Sequence, residues 1–564
     1  MDIITKNYMS QFLESEQIKE TELSKQFELF ASYCAIAQHY SETYNVEDII
    51  TGDGGDSGID AMAIIVNGKM ITSKEEIDDL VELNKVLYDI NFIFVQAKSS
   101  SKFDYSLMGT FGVGVKDFFS ERPQMIRNCQ IQDKNSIVTY VFSKMKYAKN
   151  KPNCYLYYIS TGKWVDDKNC MGRINIAVSD LEMLSIFANV KYIPVDADLL
   201  QKYYRSTIDA TETEIEFNDR VILPEIQNVK QAFLGYLSHT EYLKLIVGEN
   251  GDIRKNVFYD NVRDFQGDNP VNNEISETVC IDPNKFILFN NGVTIICKQL
   301  KNNHRNQFIL TDYQIVNGCQ TSHVLYNSRN NITSDLQIPV KLIETNDDET
   351  VNRIIKATNR QTEVTNDQLI ALNEFHRKLE AFYSAIPLKE RLYYERRSKQ
   401  YNYDPNIEKV RIVSIGTQIK SVASMFYDKP HLASRFYGKV LNSVKDMFNE
   451  EHQLLPYYTC AYTLYRLEYL FRNKLLSLQY RKFKYHILMM LKYSIVPEDI
   501  PNMNSNKIEK VCNDILKVVK CNTSLTNEVK KLTSILDKNV PDLSSTESTK
   551  LVTLVEKLKS ELKK

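Results

Sequence analysis

Gly52-Asp53-Gly54-Gly55-Asp56-Ser57-Gly58-Ile59-Asp60, followed by the apolar run Ala61 to Val66 and later by Phe94-Val95-Gln96-Ala97-Lys98, decides how the first part of this chain is read. Four of the chain's 18 glycines fall between Gly52 and Gly58, a density that marks a tight turn feeding a strand. Asp60 stands where that strand opens. Gln96 and Lys98 share parity at the end of a second apolar run, Asn91 to Gln96, so both side chains point to one face. Phosphodiester hydrolysis uses a divalent metal that polarises the phosphate and lowers the pKa of a water. A hard cation such as magnesium asks for a few oxygen ligands. The Asp60 carboxylate and the Gln96 carbonyl are candidate metal ligands, and the Lys98 ammonium would orient the water or meet developing charge. Glu28 would complete the acid set from a helix predicted over residues 21–45, where Phe27, Phe30, Cys34 and Ala37 recur at helical spacing.

Working outward, Asp104 to Ser120 reads as a helix with loose glycines, Ile137 to Tyr147 as a helix and Cys154 to Ser160 as a buried strand. The pattern to about residue 165 is a small α/β layer. Ser179 to Asn189 reads as a further helix, and the polar stretch Ile208 to Asp219 as a boundary. Three segments are expected: 1–210 as an α/β domain, 211–400 as an α+β core and 401–564 as a mainly α region. In the second, Phe286 to Cys297 reads as two strands joined at Asn291-Gly292 in a hairpin. Phe308 to Val316 is a strand ending at Asn317-Gly318, with a helix following through Val324 and Leu325. Thr365 to Gln368 resembles a capping box opening a helix through Phe382. Leu551 to Lys564 is an amphipathic tail.

Composition narrows the class. The 564 residues are too many for one ordinary domain, and 43% hydrophobic with 25% charged residues is typical of a folded chain. A net charge of −2 confines any nucleic-acid surface to local patches such as Arg396-Arg397-Ser398-Lys399 or Arg472 to Lys484. Tyr393 to Arg397 interleaves aromatics with base, which suits nucleic acid. The ten cysteines include no Cys-x-x-Cys pair, so zinc-site spacing is absent and reduced intracellular thiols are expected. The eight histidines are dispersed, and Gly112-x-Gly114 lacks the Lys and Ser/Thr of a P-loop. The charged N-terminus (Lys6, Glu14, Glu16, Lys19, Glu20) and the lack of a long apolar run point to a cytoplasmic protein without a membrane partner.

The Glu28, Gly-Ile-Asp60 and Gln96-Ala97-Lys98 pattern resembles the PD-(D/E)xK nucleases, and within them the Mrr-like restriction enzymes. That resemblance implies a restriction-endonuclease-like mixed sheet and a magnesium- or manganese-dependent endonuclease. Carried over residue by residue, Asp60 and Gln96 become metal ligands, Lys98 catalytic and Glu28 an accessory acid. A second resemblance rests on Asp264-Phe265-Gln266-Gly267, Asn272 to Ile275, Phe289 to Ile295, Ile315 to Thr321 and Ala357 to Gln361. These are similar to the AIPR family, named for abortive-infection phage resistance, which implies a bacterial antiphage role. Physically, a strand ending at Asn317-Gly318 before a helix starting near Gln320 and Thr321 presents backbone N–H groups to an anion. Asn359 and Arg360 would add donors, with Arg396 and Arg397 as further contacts. The expected partner is nucleic acid, DNA ahead of RNA, and a homodimer is favoured among oligomers. The competing class is a non-catalytic nucleic-acid or nucleotide sensor whose nuclease-like domain is structural. An RNase would use the same residues.

Overall fold

The computed structural model of the chain describes residues 1–40, 42–52, 54–248, 251, 253–254, 257–258, 270–332, 336–358, 374–396, 399–401, 403–404, 406–444, 446–496, 500–543 and 545–563, with backbone alone at 270, 271, 348, 352 and 356. They fall into two compact units, Met1–Thr207 with Asn373–Lys564, and Ile208–Leu372. Of the three expected segments, the first and third therefore share one unit.

The first unit holds a five-stranded mixed sheet. Its elements run α1 (Ile3–Ser15), α2 (Leu23–Ile36), β1 (Ala61–Val66), β2 (Lys69–Met70), α3 (Lys74–Asn84), β3 (Ile90–Lys98), α4 (Tyr105–Phe118), α5 (Cys129–Ser143), β4 (Asn153–Ser160), α6 (Lys168–Glu182), β5 (Asn189–Val195) and α7 (Ala197–Ile208). Strand order is β2-β1-β3-β4-β5, with β1 antiparallel to β3 and the β3, β4 and β5 neighbours parallel. Alternate residues separate the two faces. Met62, Ile64, Phe92 and Phe94 join Met108, Phe111 and Ile174 in one core, while Phe12, Phe30 and Tyr204 pack ring against ring elsewhere in the unit.

The loose glycines of α4 are packing residues. A Cβ at Gly112 would stand 2.5 Å from the Ala177 Cβ on α6, and one at Gly114 would stand 2.0 Å from the Ser57 carbonyl oxygen. Only a hydrogen at Cα lets this helix lie against the glycine-rich loop. Gly114→Ala is expected to cost about 1–3 kcal/mol, because backbone must move to admit the methyl; thermal unfolding reads it directly.

Several readings of this segment change: the helix expected over residues 21–45 is confined to Leu23–Ile36, and the one expected at Ile137 to Tyr147 starts at Cys129 and ends at Ser143. The helix expected at Ser179 to Asn189 ends at Glu182, because it is the tail of α6, and Asn189 already opens β5. Helix α3 escaped the hydropathy reading because its sequence, Lys-Glu-Glu-Ile-Asp-Asp-Leu-Val-Glu-Leu-Asn, is strongly acidic. Four of its five acids are paired with the C-terminal region: Glu75 with Lys550, Glu76 with Lys420, fully buried Asp79 with Arg435, and Glu82 with Lys439; Asp78 pairs with Lys144.

That C-terminal region is mainly helical, including Ile415–Met425, Leu455–Arg472, Lys484–Ile495, Lys507–Val519, Asn522–Asn539 and Val552–Leu562 around one apolar core. Here the basic stretch Arg472 to Lys484 is drawn into ion pairs within the unit. Arg472 meets Glu47 at 2.7 Å, Lys474 meets Glu20 at 2.9 Å and Lys482 meets Asp133 at 2.6 Å. Arg481 bridges Asp48 at 2.7 Å and Glu468 at 2.8 Å. The cations read from sequence as a local nucleic-acid patch hold residues 1–207 to residues 373–564 instead. No helix among the described residues is long and apolar enough to cross a membrane.

The second unit is a six-stranded sheet, ordered β6-β10-β9-β11-β8-β7 from β6 (Glu212–Glu216), β7 (Asp219–Ile222), β8 (Gln231–Ser238), β9 (Val293–His304), β10 (Gln307–Asn317) and β11 (Gln337–Glu344). Helices α8 (His239–Ile246), α9 (Pro270–Ile281), α10 (Phe286–Phe289), α11 (Cys319–Ser328) and α12 (Asp348–Thr358) accompany it. The hairpin expected at Asn291-Gly292 is absent: Phe286–Phe289 is a short helix, and β9 begins at Val293. Gly292 does take positive φ, +81°, but in a helix-to-strand turn where its N–H donates to Asn290 Oδ1 at 2.9 Å. The hairpin partner of β9 is β10, with His304 opposite Gln307. The expected capping box at Thr365 to Gln368 lies outside the described residues, and the helix there is described as Glu374–Ala385.

Candidate nuclease site and signature cluster

The register of β1 on β3 pairs Ala61 with Val95, so one step further Asp60 faces Gln96 across the strands. The Asp60 N–H donates to the Val95 carbonyl at 2.9 Å. Its carboxylate accepts from the Ala97 N–H at 2.7 Å and lies 3.5 Å from the Lys98 ammonium. Asp60 is 5% exposed and Gln96 3%, whereas the Lys98 side chain keeps 33%. The interior therefore holds the two oxygen donors while the ammonium reaches toward solvent.

Gln96 Oε1 is buried and accepts no hydrogen bond, an arrangement that leaves an amide carbonyl unsatisfied beside a carboxylate. Its Nε2 packs 3.0 Å from where a Cβ at Gly58 would stand. This orphaned oxygen is what a cation between Asp60 and Gln96 would engage, so the pair fits magnesium, which keeps most of its own waters. Among the described residues no group of three or more His, Cys, Asp or Glu side chains is placed to hold a metal.

Glu28 comes to the same place from α2. A Cβ at Gly52 would stand 2.6 Å from Glu28 Oε1 and 3.6 Å from Asp56 Oδ2, so the bare glycine makes room for two carboxylates. Burial, reinforced by the charge of Asp60, pushes the Glu28 carboxyl up to about 7, although Lys25 pairs with it at 3.2 Å. Burial also raises Asp60, with Lys98 and the Ala97 N–H opposing. Such raised acids beside a lysine are common where proton transfer is carried out.

The loop holding these groups is fastened by a residue sequence reading missed. Asn128 Nδ2 donates to the carbonyls of Thr51 at 2.7 Å and Gly54 at 3.2 Å, and its N–H donates to Gly55 at 2.8 Å. The same side chain caps α5 through Oδ1. A helix-capping asparagine was legible; its grip on a loop more than seventy positions earlier in the chain was not. Gly54, Gly55 and Gly58 all have positive φ, and Asp56 Oδ1 accepts from the Gly58 N–H. Asp53 is outside the described residues.

In the second unit the signature segments converge. Asn317 Nδ2 donates to the Thr358 carbonyl at 2.6 Å, and Asn290 Nδ2 donates to Thr321 Oγ1 at 3.1 Å. Gly318, at φ +103°, begins α11, and a Cβ there would meet Val293 Cγ2 at 2.7 Å. Gln320 is half-buried in the first turn of that helix. Asn317 and Thr321 thus tie turns together within the fold. Arg396 belongs to the other unit, where its side chain is 8% exposed and paired with Glu380. Asn359, Arg360 and Arg397 lie outside the described residues.

The family described as AIPR protein matches residues 258–560, more than half of the chain, and leaves the nuclease-like segment uncovered. No curated protein and no solved structure matches the chain.

Proposed function

The chain belongs to the AIPR family, and from that premise we propose that it is an antiphage defence protein whose first 207 residues form a restriction-endonuclease-like, metal-dependent nuclease. The observation that carries the reading is the unsatisfied Gln96 Oε1 facing Asp60 across adjacent strands, with Lys98 beside them. A bound magnesium or manganese ion would supply phosphate polarisation and a water of lowered pKa. The chain's own residues do the rest. Asp60 and Gln96 would hold the ion, the Lys98 ammonium sits where it can bind a phosphate oxygen, and Glu28, raised to about 7, can take or return a proton near neutrality.

DNA is the substrate favoured here and a dimer the form that would cut both strands. In the same reading the second unit, which carries the signature segments around Asn290, Asn317 and Thr321, would act in recognition. The test incubates the full chain with magnesium or manganese and supercoiled, linear and single-stranded DNA or RNA, with Lys98→Ala in parallel. Cleavage of DNA by the parent protein alone is the expected result. Cleavage confined to RNA would reassign the substrate, and equal cleavage by both proteins would sink the site.

A further inference from the structure

Ile126 is 81% exposed, the most exposed of the large apolar side chains among the described residues, and it sits at the rim of the nuclease-like site. Its Cγ2 is 3.3 Å from where a Cβ at Gly55 would stand, and its carbonyl accepts from Ser57 Oγ at 3.0 Å. It therefore adjoins the loop that carries Asp56 and leads into Asp60. Single exposed apolar residues are ordinary on protein surfaces. This one stands on a loop fastened on both sides by hydrogen bonds. The Asp117 carboxylate accepts from the Gln124 and Met125 N–H groups, and the Arg127 guanidinium donates to the Asp117 and Phe118 carbonyls. On the other side, Asn128 grips Thr51, Gly54 and Gly55. The fastened loop thus projects one bare aliphatic side chain, and it has the exposed Arg122 near its start.

We propose that the segment Ser120 to Asn128 is a DNA-engaging loop in which Ile126 acts as a wedge against a base step of duplex DNA. The inference rests on the nuclease reading and deepens it by naming the substrate form. Branched aliphatic side chains that insert at a base step unstack it and bend the duplex, exchanging stacking for a larger contact. A fastened loop suits that role, since a wedge that could fold away would not hold the step open. Arg122 supplies a cation for the flanking phosphate. The Gly52 to Gly58 turn, lacking side chains at four positions, leaves the backbone close to the strand being presented to Asp60 and Lys98.

The test uses the full-length parent protein with calcium in place of magnesium, so binding is read without cleavage, and a short DNA duplex with 2-aminopurine at successive positions. Binding is expected to raise the fluorescence at one step. Adding Ile126→Ser should abolish that rise and weaken binding by about tenfold or more, the loss of one buried aliphatic contact. Ile126→Leu should retain both, and circular dichroism melting of all variants should coincide because the side chain is exposed. Unchanged affinity and fluorescence in Ile126→Ser, or no duplex binding by the parent protein, overturns the proposal. The nuclease reading fails separately, by equal cleavage from the Lys98→Ala and parent proteins.

Discussion

Asp60→Asn is expected to lower phosphodiester cleavage by about a thousandfold or more, in line with removing a charged group from a preorganised site, while leaving the melting temperature unchanged or slightly higher. The two halves of this expectation have one cause. Burial raises the Asp60 carboxyl, and Lys98 with the Ala97 N–H offsets only part of that. A folded-state pKa raised above the unfolded value means the ionised carboxylate opposes folding at neutral pH. An amide keeps the shape and removes the buried charge. The polar contact to Ala97 survives through the amide oxygen, and Lys98, partly exposed, turns to water. Activity and melting measured on one preparation decide it. A variant that cuts normally, or one that loses activity by unfolding, contradicts the expectation.

Arg481→Met is expected to destabilise the first unit by about 3–5 kcal/mol, the usual result of removing one partner from a buried charge cluster. Arg481 lies between Asp48 and Glu468, with its side chain 14% exposed. Burial alone would push the Glu468 carboxyl up, but Arg481 and Lys484 outweigh it and hold Glu468 well below the usual carboxylate range. Asp48 is lowered by the same balance, burial opposed by Arg481 and Lys484. A depressed folded-state pKa contributes stability that is complete above the ordinary carboxylate pKa of about 4 and is lost as pH falls through the folded value. Without Arg481 less offsets the burial of Asp48 and Glu468, so the variant should begin to unfold at a higher pH than the parent as acid is added. Urea melts at neutral pH and an acid titration followed by circular dichroism measure both effects. A methionine variant as stable as the parent would show that the cluster is no better than an apolar contact of that size.

Short-range signals carried much of the fold. Apolar runs fixed β1, β3 and β4 nearly to their ends, and glycine density marked the turn before Asp60. Strand parity placed Gln96 and Lys98 on one face, because the alternation of side chains is a property of the extended backbone. Asn291-Gly292 shows the limit: the dipeptide demanded a positive φ and got one, but in a helix-to-strand turn packed close to Pro339 of β11 rather than in a hairpin.

By itself, then, the sequence determined β1, β3, β4 and β10, the shared face of Gln96 and Lys98 and the AIPR membership, all of which depend on neighbours a few positions away. Tertiary structure alone decided that bare Gly52 makes room for Glu28 and Asp56, that Asn128 fastens the loop, and that Arg472 to Lys484 serve as internal ion pairs. Those outcomes depend on which opposite charge or empty Cα lies across the fold, and the partners of Arg481 and Lys482 lie hundreds of residues away in the chain. Local pattern says that a cation is present; only packing says whether it faces water or an acid.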